Sequence, residues 1–237
     1  MSRSDPLRSL SDKVRPLALA RDHSLPLSPA LRDLVPSGAI QRGSTVLVTA
    51  DAGGPQGATS LAFALVAAAS DAGSWCAAVG FPDLGAVAVA ELGVDLDRLA
   101  LVPRPEPAQW ISVMGALLDA VDVVIVRPPA RLRVGDCRRL TARARERKTV
   151  LIPVGSWVEG ADVRLTVTGS WWEGLGAGDG CLRTRRLEVT ANGRGAAARP
   201  HHATLWLPHD AAAYAGADAD LLPDPAPAET GPLRSAG

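Results

Sequence analysis

The stretch that decides the fold is TVLVTADAGGPQGATSLAFAL, residues 45–65. Its first part, Thr45 to Ala50, is a largely apolar run of β-forming residues, which predicts a strand buried on both faces. A Gly-rich turn at 52–57 follows, and an apolar run of helix formers extends from Ser60 to Ala72. This order of strand, Gly-rich loop and helix is that of a phosphate-binding loop, whose glycines bring backbone N–H groups onto phosphate oxygens.

The loop lacks the lysine that such a site needs for catalysis. Setting Gly57 as the last loop glycine puts Ala58 at the lysine position and Thr59 at the hydroxyl position that holds magnesium. The chain has two lysines, Lys13 and Lys148, and both lie far away in sequence. Because that lysine offsets phosphate charge during transfer, we expect no ATP hydrolysis.

The magnesium-binding half of an ATP site is also altered. Residues 121–126 (VDVVIV) predict a buried strand of the kind that ends in a magnesium-ordering aspartate in ATPases. Arg127 follows that strand instead. A guanidinium cannot ligate a cation, so a second catalytic position fails together with the first.

The remaining pattern alternates strands and helices. Further strands are predicted at 75–79 and 149–154, and helices near 84–92, 106–119 and 131–147. Near-unbroken apolar strands between helices predict a mostly parallel, twisted sheet that is flanked by helices. Beyond residue 162 the segments 163–168 and 182–190 alternate in polarity, and 203–207 is a short apolar run, so we expect a C-terminal antiparallel extension of this α/β sheet.

Domain organisation follows from composition. Residues 1–24 form an N-terminal arm that packs either on its own domain or on a partner, and residues 25–209 form the core domain. Residues 210–237 are rich in Ala, Pro, Asp and Gly and have little to bury, so we expect a disordered tail.

Bulk properties exclude several classes. The formal net charge is zero, which argues against a broad basic footprint and predicts weak or no direct DNA binding. Three scattered cysteines without metal-ligand spacing predict neither a disulfide framework nor a metal site, and we expect no cofactor. The longest apolar run, Leu61 to Ala69, is too short to span a bilayer, and the N-terminus carries no secretory signal; we therefore expect a cytoplasmic protein without a membrane partner.

Three segments resemble the bacterial RecA family. They are LPLSPALRDLVPSGAIQRGSTVLV at 25–48, ELGVDLDRLALVPRP at 91–105 and AVDVVIVRPPARL at 120–132. The resemblance covers roughly residues 25–170 in matching order and implies a RecA-like P-loop core.

The departures from RecA are as informative as the matches. Phe81 and Pro82 stand where the family has its catalytic glutamate, and Val154 and Gly155 stand where it has a sensor glutamine. The two DNA-contacting loops are reduced to 131–135 and 155–161. The resemblance therefore implies a RecA fold without a filament that turns over ATP.

A degenerate RecA-like chain of this size resembles the ImuA group, and in particular its actinobacterial ImuA′ branch. That resemblance implies an accessory, non-enzymatic role in SOS-induced translesion synthesis. The implied partner is ImuB, an inactive Y-family polymerase homologue, with a DnaE-type polymerase engaged indirectly. Two alternatives stay open: an unconventional ATPase whose basic residue is Arg127 or comes from a neighbouring subunit, and an inhibitor that resembles the SulA-type division inhibitors.

Candidate site residues fall into three groups. The loop residues are either a tight turn without a ligand or a vestigial nucleotide or anion site: Gly53, Gly54, Gly57, Thr59 and Ser60, of which the last two fit helix N-caps better than magnesium ligands. Trp157, Trp171 and Trp172 lie in Gly-rich segments and either cap the sheet or form an interface, whereas Trp75, Trp110 and Trp206 are predicted to be core. Arg139 and Arg143 share one helix face, which is either simply solvated or a DNA-contacting stripe.

Overall fold

The computed structural model describes residues 23–35, 37–51, 56–175, 180–193 and 200–208. Nearly all of the predicted arm and the whole predicted tail lie outside these residues. The elements, in chain order, are β1 Ser24–Pro26, a 3₁₀ helix Pro29–Leu34, β2 Ala39–Gln41, β3 Val46–Ala50, α1 Ala58–Asp71, β4 Cys76–Val79, α2 Ala86–Glu91, a second 3₁₀ helix Leu96–Arg98, β5 Leu99–Val102, α3 Trp110–Ala120, β6 Val123–Val126, α4 Val134–Arg147, β7 Val150–Pro153, β8 Val163–Leu175, β9 Gly180–Gly193 and β10 His201–Leu207.

The main strands form two four-stranded groups that meet at β3. In one group β5, β4, β6 and β7 are neighbours in that order, and every pair is parallel. In the other, β3 pairs with β8 in parallel, and β8, β9 and β10 continue in antiparallel fashion. Parallel bridges from Thr45 to Leu151 and from Val48 to Val154 join β3 to β7. The predicted parallel α/β sheet with an antiparallel C-terminal extension is thus confirmed.

Helices cover the parallel strands on both sides. On one side Leu61, Phe63 and Leu65 of α1 are fully buried in a cluster that extends to the β1–β2 hairpin and to β8–β10. On the other side, residues of α3 and α4 such as Met114 and Leu140 pack on β3, β4, β6 and β7. Burial on both faces explains why these strands have unbroken apolar sequences.

Three strands were not predicted, and β8, β9 and β10 are longer than predicted. The short β1–β2 pair and β5 were not predicted because they lie at the edges of the fold. Leu101 of β5, for instance, is 47% exposed. The predicted strands 163–168 and 182–190 extend to 175 and from 180 to 193, since a register shift between Val167 and Gly169 lets pairing continue through the tryptophan segment.

The carboxylate of Asp122, just before β6, links Arg42, which precedes β3, to Trp75, which precedes β4. Arg42 Nη1 donates to Asp122 Oδ1 at 2.6 Å, and the backbone N–H of Trp75 donates to Asp122 Oδ2 at 3.0 Å. Both side chains of the ion pair are largely shielded from water. Asp122 thereby satisfies two donors from segments that are distant in sequence.

We expect Asp122→Ala to lower the free energy of unfolding by about 1–3 kcal/mol, because the two donors lose their partner at a half-buried position. Chemical denaturation measures this change. The matched control is Asp83→Ala, which removes a 90% exposed carboxylate 4.0 Å from Arg104 and whose effect we expect to stay below about 0.5 kcal/mol. Equal losses in the two variants would contradict the role given to Asp122.

Cys76 provides a second test of the core. Burial, with a smaller contribution from the charge of Asp122, raises the pKa of the Cys76 thiol to about 12. The thiolate is the reactive form, so we expect Cys76 in the folded chain to resist alkylation near neutral pH and to react only after unfolding. Peptide mapping by mass spectrometry reads this out, and alkylation of native Cys76 at the rate of the denatured chain would show the core to be open.

Candidate functional site

The candidate site lies at the edge where the parallel strands β3, β6 and β7 end. Because these strands run in one direction, the segments that follow them meet at the same edge, which is where open α/β sheets bind ligands. The described segments are Gln56 and Gly57 before α1, Arg127 after β6, and Gly155 after β7. The sequence singled out all three, and the fold brings them together.

Arg127 reaches across this edge to the first turn of α1. Its Nη2 donates to Thr59 Oγ1 at 3.0 Å, and its guanidinium carbon lies 4.7 Å from the ring centroid of Phe81. Gly80 permits this approach: it has a φ of +81°, and a Cβ there would lie 2.6 Å from the carbonyl oxygen of Arg127. Arg127, which directly follows β6, thus contacts the hydroxyl of Thr59 in the first turn of α1.

The start of α1 differs from the prediction in one respect. Gly57 is the N-cap and Ala58 is the first helical residue, so Thr59 and Ser60 lie inside the first turn and neither is the N-cap. This corrects the N-cap interpretation, and the hydroxyl of Thr59 is bonded to Arg127 instead. Gly53 and Gly54 lie outside the described residues.

A second arginine approaches the same loop from β9. Arg185 donates through Nε to Ser170 Oγ at 2.7 Å and through Nη2 to the carbonyl oxygen of Gln56, and its guanidinium carbon lies 5.0 Å from the ring centroid of Trp172. Burial lowers the pKa of Arg185. Sequence reasoning missed this contact, since no local signal connects a strand residue to a loop more than a hundred positions earlier.

Close packing holds the loop against β9. A Cβ at Gly57 would lie 2.7 Å from Leu187 Cδ2 and 3.6 Å from Cζ of Arg185, so a larger residue would require one of these side chains to move. In sheet order, β6 lies on one side of β3 and β9 on the other. Arg127 and Arg185 therefore approach the start of α1 from opposite sides.

Apolar side chains occupy the other two altered positions. Phe81 is 4% exposed and packs edge-to-face on Phe63 at a centroid distance of 5.7 Å. Val154 is 5% exposed in the same cluster, and the N–H of Gly155 donates to the carbonyl oxygen of Val48 at 2.8 Å. Phe81 and Val154 are thus both part of the core. Within the described ranges, no three His, Cys, Asp or Glu side chains gather as a metal site would require.

The tryptophans divide differently from the prediction. Trp110 is buried as predicted, but Trp75 and Trp206 are 48% and 40% exposed, because Trp75 precedes β4 and Trp206 occupies an outward position of β10. Trp171 and Trp172 are exposed as an interface requires. Trp157 was named with them as a candidate interface residue, but it is only 7% exposed. It packs in the cluster beneath α3 and α4, in agreement with the alternative that it caps the sheet.

Arg139 and Arg143, for which the sequence left open a solvated helix face or a DNA-contacting stripe, do not form a stripe of unpaired charges. Arg143 Nε donates to Asp119 Oδ1 at 2.8 Å, and Arg147 joins the same carboxylate, which links α4 to α3. These arginines hold the pKa of Asp119 below its ordinary value. Arg139 has an 83% exposed side chain that lies 3.8 Å from Asp136. Arg143 therefore belongs to a helix–helix contact although its side chain is 45% exposed, and Arg139 is the more exposed of the two.

No described helix is both long enough and apolar enough to cross a membrane.

Comparison with known proteins identifies the family. The sequence model of the MT3502 N-terminal domain matches residues 33–159, a range that contains Thr59, Phe81 and Arg127. A Mycobacterium tuberculosis protein described as uncharacterized protein Rv3395c is 34% identical over 174 residues, which are 68% of this chain and 80% of that protein. The chain therefore belongs to the MT3502 N-terminal domain family.

Proposed function

We propose that this chain is a non-catalytic adaptor on a RecA-like core that supports SOS-induced translesion synthesis by binding an ImuB-type Y-family polymerase homologue. A DnaE-type polymerase would be engaged indirectly through that partner. The observation that carries the proposal is the hydrogen bond from Arg127 to Thr59, in which a fixed cation occupies the magnesium side of the former nucleotide site.

The strand arrangement supports the RecA-like part of the proposal. The segment 25–48 contributes β1, β2 and the first residues of β3, the segment 91–105 contributes β5, and the segment 120–132 contributes β6. The loop-bearing strand β3 lies inside the sheet between β7 and β8, and the chain crosses it to form the C-terminal extension. The three resembling segments thus contribute to one continuous sheet around the loop.

Electrostatics supports the absence of catalysis. A magnesium ion on the Thr59 hydroxyl would lie close to the Arg127 guanidinium, since that hydroxyl is 3.0 Å from Nη2. A divalent and a monovalent cation about 4 Å apart repel by about 2 kcal/mol even in bulk water, and by more near a protein surface. The arginine therefore opposes magnesium binding at this hydroxyl, while the lysine that would contact the phosphates is absent.

The same two arginines favour one limited alternative. Arg127 and Arg185 add positive charge on both sides of the α1 N-terminus, which itself favours anions. Weak, magnesium-independent binding of a nucleotide or another anion is compatible with this geometry. An unconventional ATPase would go further and require Arg127 to replace the lysine during transfer.

Exposed aromatic residues support a role in protein contact. Trp171, Trp172 and Trp206 are each at least 40% exposed and lie on β8 and β10, near the edge that carries the loop. Tryptophan and arginine are the side chains that most often anchor protein interfaces. With the catalytic positions replaced by packing, surface contact is the activity that the fold best serves.

We expect the purified chain to show no magnesium-dependent ATP turnover above a blank, because neither phosphate-contacting lysine nor magnesium-binding acid is in place. Any nucleotide binding should be the same with magnesium or with a chelator, and it should weaken in Arg127→Ala but not in the surface control Arg139→Ala. A coupled phosphate-release assay and a fluorescent-nucleotide titration measure these quantities. Turnover that disappears in Arg127→Ala would establish the unconventional ATPase instead.

We also expect the chain to co-purify with an ImuB-type protein of its own organism when the two are co-expressed, and not with FtsZ. Arg127→Ala should leave this co-purification unchanged, since the proposed contact is a surface and not the nucleotide site. Circular dichroism and a cooperative unfolding transition establish that each variant is folded. A folded chain that fails to retain the ImuB-type protein would refute the adaptor role, and retention of FtsZ would favour the SulA-like inhibitor.

A further inference from the structure

Strands β8, β9 and β10 have one buried face and one face that no described helix covers. Leu187, Leu205 and Leu207 point into the cluster beneath α1. Their neighbours Arg186 and Trp206 point the opposite way, toward the side of the sheet that carries α3 and α4. In the described part of the chain, the core beneath those two helices contains no residue of β8, β9 or β10. We call this uncovered side the outer face of β8–β10.

A cross-strand row of three large side chains dominates the outer face. Trp171 of β8, Arg186 of β9 and Trp206 of β10 are direct register partners. The two tryptophans are 44% and 40% exposed. Cross-strand partners of this kind lie about 5 Å apart, so the row spans about 10 Å of the outer face.

The row is held in place by its own contacts. The guanidinium carbon of Arg186 lies 4.6 Å from the ring centroid of Trp171. The Trp171 ring lies over Gly169, where a Cβ would come within 2.2 Å of its Cη2 atom. Such a preformed aromatic surface loses little side-chain entropy when another chain packs on it.

Arg186 is the unpaired charge of this row. Its guanidinium makes no ion pair with a carboxylate of the described residues, and its buried Nε has no hydrogen-bond partner there. Beside the row, a shallow depression of about 180 Å³ is lined by polar groups that include Glu188, His202 and Thr204. The depression contains the carboxylate of Glu188, but at the row itself Arg186 lies between two tryptophans, and there the outer face suits an extended segment that carries a carboxylate between apolar side chains.

The chain itself supplies a segment of this chemistry at the right place. Trp206 is the penultimate residue of β10, and residues 209–237 follow directly. These 29 residues contain five carboxylates and one arginine, together with Tyr214, Leu221 and Leu222. At about 3.3 Å per residue even ten of them would cross the outer face more than once. Tethering gives such a segment an effective concentration on the order of millimolar, so a weak contact suffices.

We propose that residues 209–237 dock on the outer face of β8–β10, with a carboxylate paired to Arg186 and apolar side chains packed on Trp171 and Trp206. This contact goes beyond the proposed adaptor role and does not depend on it, since it concerns one chain alone.

The test compares the full chain with a chain ending at Pro208, both labelled with 5-fluorotryptophan. Single Trp→Phe variants assign the fluorine resonances. Truncation should shift the resonances of Trp171 and Trp206 and leave those of Trp75 and Trp110 unchanged. Adding a synthetic peptide of residues 209–237 to the truncated chain should restore the original shifts in a saturable way.

Charge-matched variants test the pairing. Arg186→Gln in the truncated chain should weaken peptide binding by roughly three- to fivefold, the size expected of an exposed ion pair, and Arg139→Gln should not change it. If Arg186→Gln does not fold, a peptide with its carboxylates replaced by amides tests the same charge. Truncation that moves neither Trp171 nor Trp206, or a peptide that gives no titration up to about 1 mM, would overturn the proposal. Single-stranded DNA that shifts these resonances equally in full and truncated chains would also overturn it.

Discussion

The position of β3 inside the sheet is the constraint on which the rest of the molecule depends. It pairs along its full length with β8 and forms two bridges to β7, so it joins the parallel half to the antiparallel half. Its parallel pairing with both neighbours fixes the direction in which the chain leaves its carboxyl end. That exit places Gln56, Gly57 and the start of α1 between strands from both halves of the sheet.

At this edge, the residues singled out from the sequence have structural roles. Phe81 and Val154 are part of the core, and Arg127 links the end of β6 to the first turn of α1. The fold therefore forms without lysine or carboxylate side chains at these positions, which are the groups that phosphoryl transfer uses.

The sequence was most informative where burial is symmetric. The strand β3 and the helix α1 were predictable because burial on both faces leaves an unbroken apolar run, and the antiparallel extension was predictable from its alternation. The edge strand β5 was missed because its apolar run, LALV, is only four residues long, which is the shortest run that indicates a strand. Trp75 and Trp206 were assigned to the core from apolar neighbours, but exposure depends on the phase of each strand, which local composition does not specify.

The candidate site shows the same limit. The altered positions could be named from their order along the chain, and the fold placed them at one edge. Two contacts could not be named in this way. Arg185 donates to Gln56, and Arg143 and Arg147 donate to Asp119, and in both cases the residues come close only after the sheet and helices are assembled. Side-chain pairing over such sequence separations follows from the tertiary fold and leaves no periodic trace.

Arg185 and Arg186 are neighbours on β9 that point to opposite faces of the sheet, one toward the loop before α1 and the other over Trp171. A shift of one residue in the pairing of β8 and β9 would exchange the two faces. It would place Arg186 among apolar side chains and remove Arg185 from Gln56 and Trp172. The two arginines therefore favour a single register for the long β8–β9 pair. That register places Arg186 over Trp171 on the outer face and, at the same time, places Arg185 against Gln56 on the opposite face.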